Sequence, residues 1–212
     1  GNFSTGLSGF CAKANFCYPL GVTSPTHAFL VEMDSVETVQ EVKQKIRDLY
    51  GISNHSVHIN DTHEETLRLA RVFFNDNSLS FLCRSNVVYY PKYEHLIKEL
   101  KEWADHNKYD RDDICVTASS VLSAYGIREG QDLDYLYGGD VVPMQHSHLI
   151  NEHNKEIHNY TMGKDDILYN DFNHFYFDNI KFASLNVIHD LKEKRSEEKD
   201  LRDIEMMKGA LV

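Results

Sequence analysis

The sequence lacks both the cysteine pattern of a disulfide framework and the long apolar run of a membrane protein. Its 212 residues include four cysteines, and no two of them form a CxxC pair. We therefore expect reduced thiols and a cytoplasmic location. No apolar run reaches the roughly 18 residues that a membrane span requires, and the first residues have no basic-then-apolar signal pattern. The sequence thus predicts neither a membrane span nor secretion.

Basic residues are also scarce relative to acidic ones. The chain has 22 Lys and Arg residues against 33 Asp and Glu residues, a net charge of -11. This excess of negative charge disfavours binding along a phosphate backbone, so we expect no nucleic-acid partner. With 42% hydrophobic residues, one or two globular domains are predicted, with a core that needs no disulfide. Because the sequence starts at Gly1 and stops abruptly at Val212, we also expect neighbouring domains of a longer protein as partners.

The pattern of apolar residues predicts an α/β fold. Residues 1–26 carry few charges and many turn-forming residues, which is typical of an irregular arm. Residues 27–90 alternate between strand-like and helix-like segments, so an N-terminal β-α-β-α-β unit is predicted, on the acceptor side. Its strands are predicted at 28–33, 56–59 and 79–83, and its helices at 36–50 and 63–75.

A second unit, with a mixed sheet and flanking helices, is predicted for residues 91–212. Apolar residues at helical spacing predict an amphipathic helix at 92–106. The other predicted elements are strands at 114–118, 132–137, 167–169 and 175–182, and helices at 119–125 and from 185 to the end. This unit is predicted to hold the donor and the metal.

The strongest chemical signal lies between residues 114 and 136. A predicted strand there runs into a turn of small residues and then a helix, which presents backbone N–H groups and a hydroxyl to a phosphate. Asp132 and Asp134 follow on the next strand, where residues two apart share a face. Two carboxylates held so close favour a divalent cation. We therefore expect Mg²⁺ or Mn²⁺ to link them to the phosphates of a nucleotide.

This stretch resembles the nucleotidyltransferase fold, the superfamily that includes polymerase-beta-like enzymes, in its serine turn and its paired-carboxylate strand. The resemblance covers residues 112–207. Its second part is the tail at 180–204, where a Lys-rich helix ends in a Lys-Asp-x-x-Asp pattern similar to the closing strand and helix of small members. The resemblance implies a nucleotidyltransferase-like mixed sheet with flanking helices.

The resemblance also implies roles for individual residues. Asp132 and Asp134 would hold the metal and act as catalytic residues. Either of two neighbouring serines would hold a donor phosphate, and two basic residues are further donor-binding candidates. The donor-binding set is Ser119, Ser120, Arg128 and Lys192.

Two departures from the family pattern bear on the chemistry. The family usually has glycine before the serine, whereas this chain has Ala118, which permits less backbone freedom. The third family carboxylate lies on a later strand, and its candidates here are Asp166 and Asp171, with Asp166 completing the predicted metal set. Without a true equivalent, polymerase-like chemistry would be weakened.

A second polar cluster lies between a predicted strand and the helix that follows it. Asp61 and His63 are candidate catalytic residues, and His58 and Glu65 are acceptor-side candidates, because these groups could bind an acceptor hydroxyl or act as a base. The alternative is that Asp61 or Thr62 caps the helix and Glu65 completes a capping box. Capping explains Asp61 and Glu65 but not the two histidines, so both interpretations stay open.

Four further histidines lie in the segment from 138 to 159, about which periodicity says little. They are His146, His148, His153 and His158. Because they follow no strict metal-ligand pattern, they are predicted to be surface or loop residues.

Three functions remain open at this stage. The favoured one is a glycosyltransferase that moves a sugar from a nucleotide-sugar donor to a glycan acceptor. The acidity of the chain favours it, as does a resemblance to modules of multidomain proteins that assemble surface glycans in bacteria and large viruses. The second is a nucleotidyltransferase that moves a nucleoside monophosphate to a small molecule or a protein, using a third acid and two metals. The third is a non-catalytic nucleotide-binding module.

Overall fold

The computed structural model describes residues 27–86, 88–145 and 147–211. The chain forms two compact units, Gly1–Ala70 and Arg71–Val212. The arm predicted for residues 1–26 lies outside the described residues. Across the part of the chain that is described, no helix is both long enough and apolar enough to cross a bilayer.

The first unit contains α1 (Val36–Tyr50) and most of α2 (His63–Phe73). The hydroxyl of Ser35 accepts a hydrogen bond from the Thr38 N–H at 3.2 Å and so begins α1. Gly51 ends the helix with φ of 66°, a left-handed conformation that glycine adopts without strain. The sequence therefore predicted the bounds of α1 correctly, because both of its caps can be recognised from residue type.

The strands predicted at 28–33 and 56–59 are not formed. Both segments are irregular, and no described residue from 27 to 70 belongs to a strand. Phe29 and Leu30 are 81% and 68% exposed. An apolar run becomes a stable strand only beside other strands that share its hydrogen bonds and cover its face. The β-α-β-α-β prediction for 27–90 is therefore wrong.

The third strand of that prediction, at 79–83, is a helix, α3 (Asp76–Arg84). The side chain of Asn75 accepts hydrogen bonds from the backbone N–H of Ser78 at 2.7 Å and from its hydroxyl at 2.9 Å. This buried cap begins a helix whose Phe81 enters the core. Capping and burial of one face outweigh the strand propensity of a short apolar run.

The second unit is built on a five-stranded mixed sheet. Its strands are β1 (Ile114–Thr117), β2 (Leu133–Tyr137), β3 (Ile150–Glu152), β4 (His174–Phe177) and β5 (Ile180–Ala183). They lie in the order β3-β2-β1-β5-β4. β1 is antiparallel to β2 and parallel to β5, while β3 is parallel to β2 and β4 is antiparallel to β5. A mixed sheet with flanking helices is thus confirmed for this unit.

Five helices follow α3 in this unit. They are α4 (Pro91–Asn107), α5 (Ser119–Ala124), α6 (Lys164–Tyr169), α7 (Leu185–Arg195) and α8 (Glu198–Met207). Short 3-10 helices are formed by Ser53–His55 in the first unit and by Arg111–Asp113 and Asn154–Asn159 in the second. The helix predicted at 92–106 is confirmed as α4, which begins at a proline, a residue suited to a first helical turn.

Three predicted elements of the second unit differ from the structure. Residues 167–169 belong to α6, not to a strand, because two adjacent apolar residues face the core there. Residues 175–182 split into β4 and β5 at Asp178 and Asn179, which both have positive φ and turn the chain. The single helix predicted for the tail is broken into α7 and α8 at Ser196, whose φ is 54°.

The core lies between this sheet and its helices. α4 buries Leu96 and Leu100, four residues apart on one face. Phe175 on β4 stacks on Phe182 of β5 with ring centroids 5.2 Å apart, and Phe81 of α3 stacks on Phe175 at 4.6 Å. Aromatic packing therefore attaches α3 to the edge of the sheet.

A buried lysine also joins the sheet to the helices. Lys181 of β5 is 3% exposed. Its ammonium donates hydrogen bonds to the carbonyls of Asp112 at 2.7 Å and Leu168 at 2.6 Å. It also lies over the rings of Tyr169 and Tyr176. Burial lowers the pKa of Lys181. The two carbonyls end the short Arg111–Asp113 helix and α6, so Lys181 satisfies acceptors that neither helix can satisfy itself.

We expect Lys181→Met to lower the free energy of unfolding by about 2 to 4 kcal/mol, because one buried and one partly buried carbonyl lose their donor. Urea denaturation measures the change. Lys98→Met is the control, since Lys98 is 71% exposed, and it should change the free energy little. Equal effects of the two substitutions would contradict the role given to Lys181.

Candidate functional site

The turn between β1 and α5 has an unusual backbone conformation. Ala118 has φ of 52° and ψ of -136°, a region that favours glycine. Alanine therefore occupies a glycine-like conformation here. Such strain costs roughly 1–3 kcal/mol and persists only where the surrounding structure enforces it.

Replacing this alanine tests whether the strain is real. We expect Ala118→Gly to raise the free energy of unfolding by about 1 kcal/mol, because the strained residue loses its Cβ. Ala124→Gly is the control: Ala124 lies in α5, where glycine costs roughly 0.5–1 kcal/mol. The two substitutions should therefore have opposite signs in thermal or urea unfolding, and a loss of stability in both would contradict the strain.

The two serines of the turn differ in their surroundings. Ser120 is buried, and its hydroxyl donates to the carbonyl of Asp132 at 3.3 Å and accepts from the N–H of Asp134 at 3.1 Å. Ser120 therefore fixes α5 to the start of β2. Ser119 is partly exposed beside it. The structure thus gives Ser120 a structural role and leaves Ser119 as the accessible hydroxyl.

Three polar side chains form a row across the sheet at this end. Asp134 on β2 pairs with Thr117 on β1 and with Asn151 on β3. Residues paired across strands share a face, so the three side chains are neighbours. The amide of Asn151 donates a hydrogen bond to Asp132 Oδ2 at 3.3 Å. The predicted pair, Asp132 and Asp134, is therefore brought together on one face, with an amide beside it.

The surroundings of Asp134 disfavour its negative charge. Burial, and then the negative charge of Asp132, raise the pKa of Asp134 to about 6. A hydrogen bond from Asn151 and the positive charges of Arg195 and Lys192 act in the opposite direction, but they are outweighed. Carboxylate oxygens are the ligands that Mg²⁺ and Mn²⁺ prefer. The pair fits a divalent cation, whose charge would offset the repulsion between the carboxylates.

The raised pKa makes the stability of the fold depend on pH. The unfolded chain loses the Asp134 proton near pH 4 and the folded chain near pH 6, so stability falls as the pH rises between these values. We expect Asp134→Asn to raise the free energy of unfolding by about 1 to 2 kcal/mol at pH 7.5 and to change it little at pH 4.

Urea denaturation in the presence of a chelator measures this effect at both pH values. Asp140→Asn is the control, because Asp140 is an exposed acid just after β2 and should change the stability little at either pH. A parent protein more stable than Asp134→Asn at pH 7.5 would contradict the electrostatic cost.

Among the described residues, neither candidate for the third acid forms a hydrogen bond with Asp132 or Asp134. The carbonyl of Asp166, in α6, accepts from the Asn173 amide at 3.0 Å, just before β4. Asp171 lies in the same loop, with its carboxylate 3.2 Å from the His174 ring. Asp171 precedes β4, which is three strands away from β2, about 14 Å across the sheet. The residue that does lie level with Asp134 is Asn151, which the sequence analysis missed because β3 has only three residues.

A buried network of ion pairs joins the loop before β2 to α7 and α8. Lys192 is 2% exposed, and its ammonium lies 3.2 Å from Asp200 and 2.7 Å from Asp203. Arg195 binds Asp200 through Nε and Nη2 at 2.7 and 2.6 Å. Arg128 binds Asp203 in the same way, at 2.6 and 2.7 Å. The Lys-Asp-x-x-Asp pattern of the tail thus supplies the acids of this network.

The network includes both basic donor-binding candidates, Arg128 and Lys192, and shows which of them is accessible. Lys192 is enclosed by carboxylates, whereas the side chain of Arg128 remains 32% exposed and that of Arg195 22%. Lys192 therefore acts on the site through its charge, and the two arginines retain accessible surface. The sequence alone does not single out Arg195, because it stands in a charge run that is typical of a solvated helix.

One of the four loop histidines belongs to a buried hydrogen-bond chain. His153 Nδ1 lies 2.9 Å from the Tyr160 hydroxyl, which lies 2.8 Å from the Thr117 hydroxyl. Burial lowers the pKa of His153 and raises that of Tyr160. The chain ends at the residue paired with Asp134. His148 and His158 are exposed, as predicted, and His146 lies outside the described residues.

In the first unit, the polar cluster forms a helix cap. The Thr62 hydroxyl accepts from the Glu65 N–H at 3.1 Å, and the Glu65 carboxylate accepts from the Asp61 N–H at 3.2 Å. Glu65 also lies 3.0 Å from His58 Nε2. The hydrogen bond from Asp61, and then that from His58, lower the pKa of Glu65. Capping thus accounts for Glu65 and the backbone of Asp61, while His63 is exposed.

A further group of possible metal ligands lies on α7. His189, Asp190 and Glu193 offer ligand atoms within 4.8 Å of one another. His189 Nδ1 lies 3.8 Å from Asp190 and 3.7 Å from Glu193, contacts that side chains one and four positions apart make on any helix. The group needs no metal to explain it.

Comparison of the chain with protein-family models, curated proteins and solved structures finds no match. The site itself combines a strained turn, an accessible hydroxyl, a carboxylate pair and a cationic network in one unit. Such an arrangement can bind a divalent cation together with a phosphorylated ligand.

Proposed function

We propose that the chain is a metal-dependent transferase that uses a nucleotide-activated donor. The observation that carries the proposal is the carboxylate pair of Asp132 and Asp134, held on one face with the pKa of Asp134 raised to about 6. A fold that keeps two such charges together at a cost to its stability is typical of a functional site. Asp132 and Asp134 are the residues that would hold Mg²⁺ or Mn²⁺.

The surrounding residues support a phosphate-bearing donor. A divalent cation, when bound, neutralises the negative charge that develops on a leaving diphosphate. Ser119 offers an accessible hydroxyl near the pair, since Ser120, its neighbour, bonds to the backbone of both aspartates. Arg128 and Lys192 contribute positive charge. The donor would thus bind across the start of β2.

Glycosyl transfer is the favoured reaction and nucleotidyl transfer the second candidate. Nucleotidyl transfer with two metals uses a third acid, and the residue level with Asp134 is the amide of Asn151. An amide leaves a site with two carboxylates, which suits one cation and a nucleotide-sugar donor. The resemblance of the turn and strand to the nucleotidyltransferase fold is the reason to retain nucleotidyl transfer as the second candidate.

Isothermal titration tests the proposal. We expect UDP-glucose to bind in the presence of Mn²⁺ and at least tenfold more weakly with a chelator, because the carboxylate pair repels the diphosphate without the cation. Asp132→Ala and Asp134→Ala should abolish this dependence on metal, while the control, Asp140→Ala, should keep it.

The outcomes separate the candidate functions. Binding of UDP-glucose but not ATP, with slow release of UDP, supports glycosyl transfer, whereas binding of ATP with release of pyrophosphate supports nucleotidyl transfer. Metal-dependent binding without turnover of either compound supports a non-catalytic nucleotide-binding module. If Asp132→Ala and Asp134→Ala both keep the parent's affinity for UDP-glucose and its dependence on metal, the proposed site is overturned.

A further inference from the structure

The ion-pair network carries one positive charge more than its acids neutralise. Its central members are three basic side chains, Arg128, Lys192 and Arg195, and two acidic ones, Asp200 and Asp203. Glu197 also lies 3.7 Å from Arg195, but it pairs with Lys199 at 3.0 Å, so this outer pair adds no net charge. Lys192 and both aspartates are almost completely buried, so solvent screens these charges less than it would on the surface. The excess charge is therefore available to a nearby group.

The network and the carboxylate pair are neighbours. Lys194, next to Arg195, donates to the Tyr160 carbonyl at 2.7 Å, and the Tyr160 hydroxyl lies 2.8 Å from Thr117, which pairs with Asp134. Arg128 lies in the loop that leads into β2. The charge of Asp132 acts on Arg128, and that of Arg195 acts on Asp134.

The local charge changes sign when a divalent cation binds. With both carboxylates of the pair ionised, the seven side chains together carry one negative charge, which repels an anion. A bound divalent cation changes this to one positive charge, which attracts an anion. Arg128 and Arg195 are the cations of the network that keep exposed surface. Their guanidinium groups can therefore contact phosphate oxygens.

We infer that the network of Arg128, Lys192, Arg195, Asp200 and Asp203 is a diphosphate subsite that accepts its ligand only after a divalent cation has bound to the carboxylate pair. This inference rests on the proposed function and adds to it the order of binding, the diphosphate class of donor and a role for Arg195. The coupling is reciprocal, so the donor must raise the affinity for the cation by the same factor.

Titration with UDP at fixed free Mn²⁺ concentrations tests the order of binding. We expect Arg195→Gln to weaken UDP binding about tenfold in Mn²⁺, an effect typical of losing one nearby charge, without weakening Mn²⁺ binding in the absence of UDP. Arg195→Lys, which keeps the charge, should bind UDP within a few-fold of the parent. Arg202→Gln is the control, because Arg202 is 70% exposed and pairs with Glu198 on α8.

A second variant tests whether the negative charge of the carboxylate pair prevents UDP from binding without metal. Asp134→Asn removes one negative charge, so we expect UDP binding without metal to become measurable, whereas it is not measurable in the parent. Thermal unfolding of each variant separates loss of binding from loss of fold. If a variant at Arg195 does not fold, Asp134→Asn still decides the question.

The outcomes distinguish this inference from the proposed function. A parent protein that does not bind Mn²⁺ overturns both. A parent that binds Mn²⁺ but binds UDP equally well with and without it overturns only the ordered binding. Equal effects of Arg195→Gln and Arg202→Gln would overturn the role of the network.

Discussion

The repulsion between Asp132 and Asp134 is the interaction around which the second unit is arranged. Asp132 lies just before β2 and Asp134 within it, two positions apart, so both carboxylates lie on one face. Neighbouring groups hold the pair in place and partly offset its charge. The Ser120 hydroxyl fixes the backbone at both residues. The Asn151 amide donates to Asp132, and the cationic network lies beside the pair. The remaining repulsion still raises the pKa of Asp134, so the offset is incomplete.

Two costs to stability coincide at this point of the fold. Ala118 adopts a backbone conformation suited to glycine, and Asp134 lies partly buried next to a like charge. The rest of the unit supports them with an aromatic core and with Lys181, which satisfies one buried and one partly buried carbonyl. Strain and unfavourable charge of this kind cluster at functional sites, since elsewhere a glycine or an amide would be the more stable choice.

The sequence predicted elements whose signals are local. α1 has a serine cap and a terminal glycine, α4 begins at a proline, and the strand, turn and paired acids around Ala118 are contiguous in the chain. Predictions failed where the decisive partner is distant. The run at 28–33 has strand composition but no neighbouring strand among the described residues, and the run at 79–83 follows a buried Asn75 cap whose amide binds the Asp171 and His174 carbonyls almost a hundred residues away.

The candidate site divides in the same way. The carboxylate pair was predictable, because its spacing alone sets its geometry. Asn151 was not, because a strand of three residues gives no periodic signal. The ion-pair network was predictable only in part. The Lys-Asp-x-x-Asp pattern could be recognised in the tail, but its pairing with Arg128 depends on the folded chain. Asp166 and Asp171 stay predictions for the third acid, and the residue that β3 places level with Asp134 is the amide Asn151.

The chain's net charge of -11 gains meaning only when each acid is considered with its partners. Burial tends to raise the pKa of Asp200 and Asp203, but hydrogen bonds and positive charges from Lys192 and the two arginines outweigh it and lower both values. Asp134 has no comparable cation, and its pKa rises. Acids whose partners lie within the fold are structural, whereas a pKa raised by burial and a neighbouring like charge is typical of functional sites. This difference, and not the total charge, supports the pair at the start of β2 as the proposed site of a divalent cation.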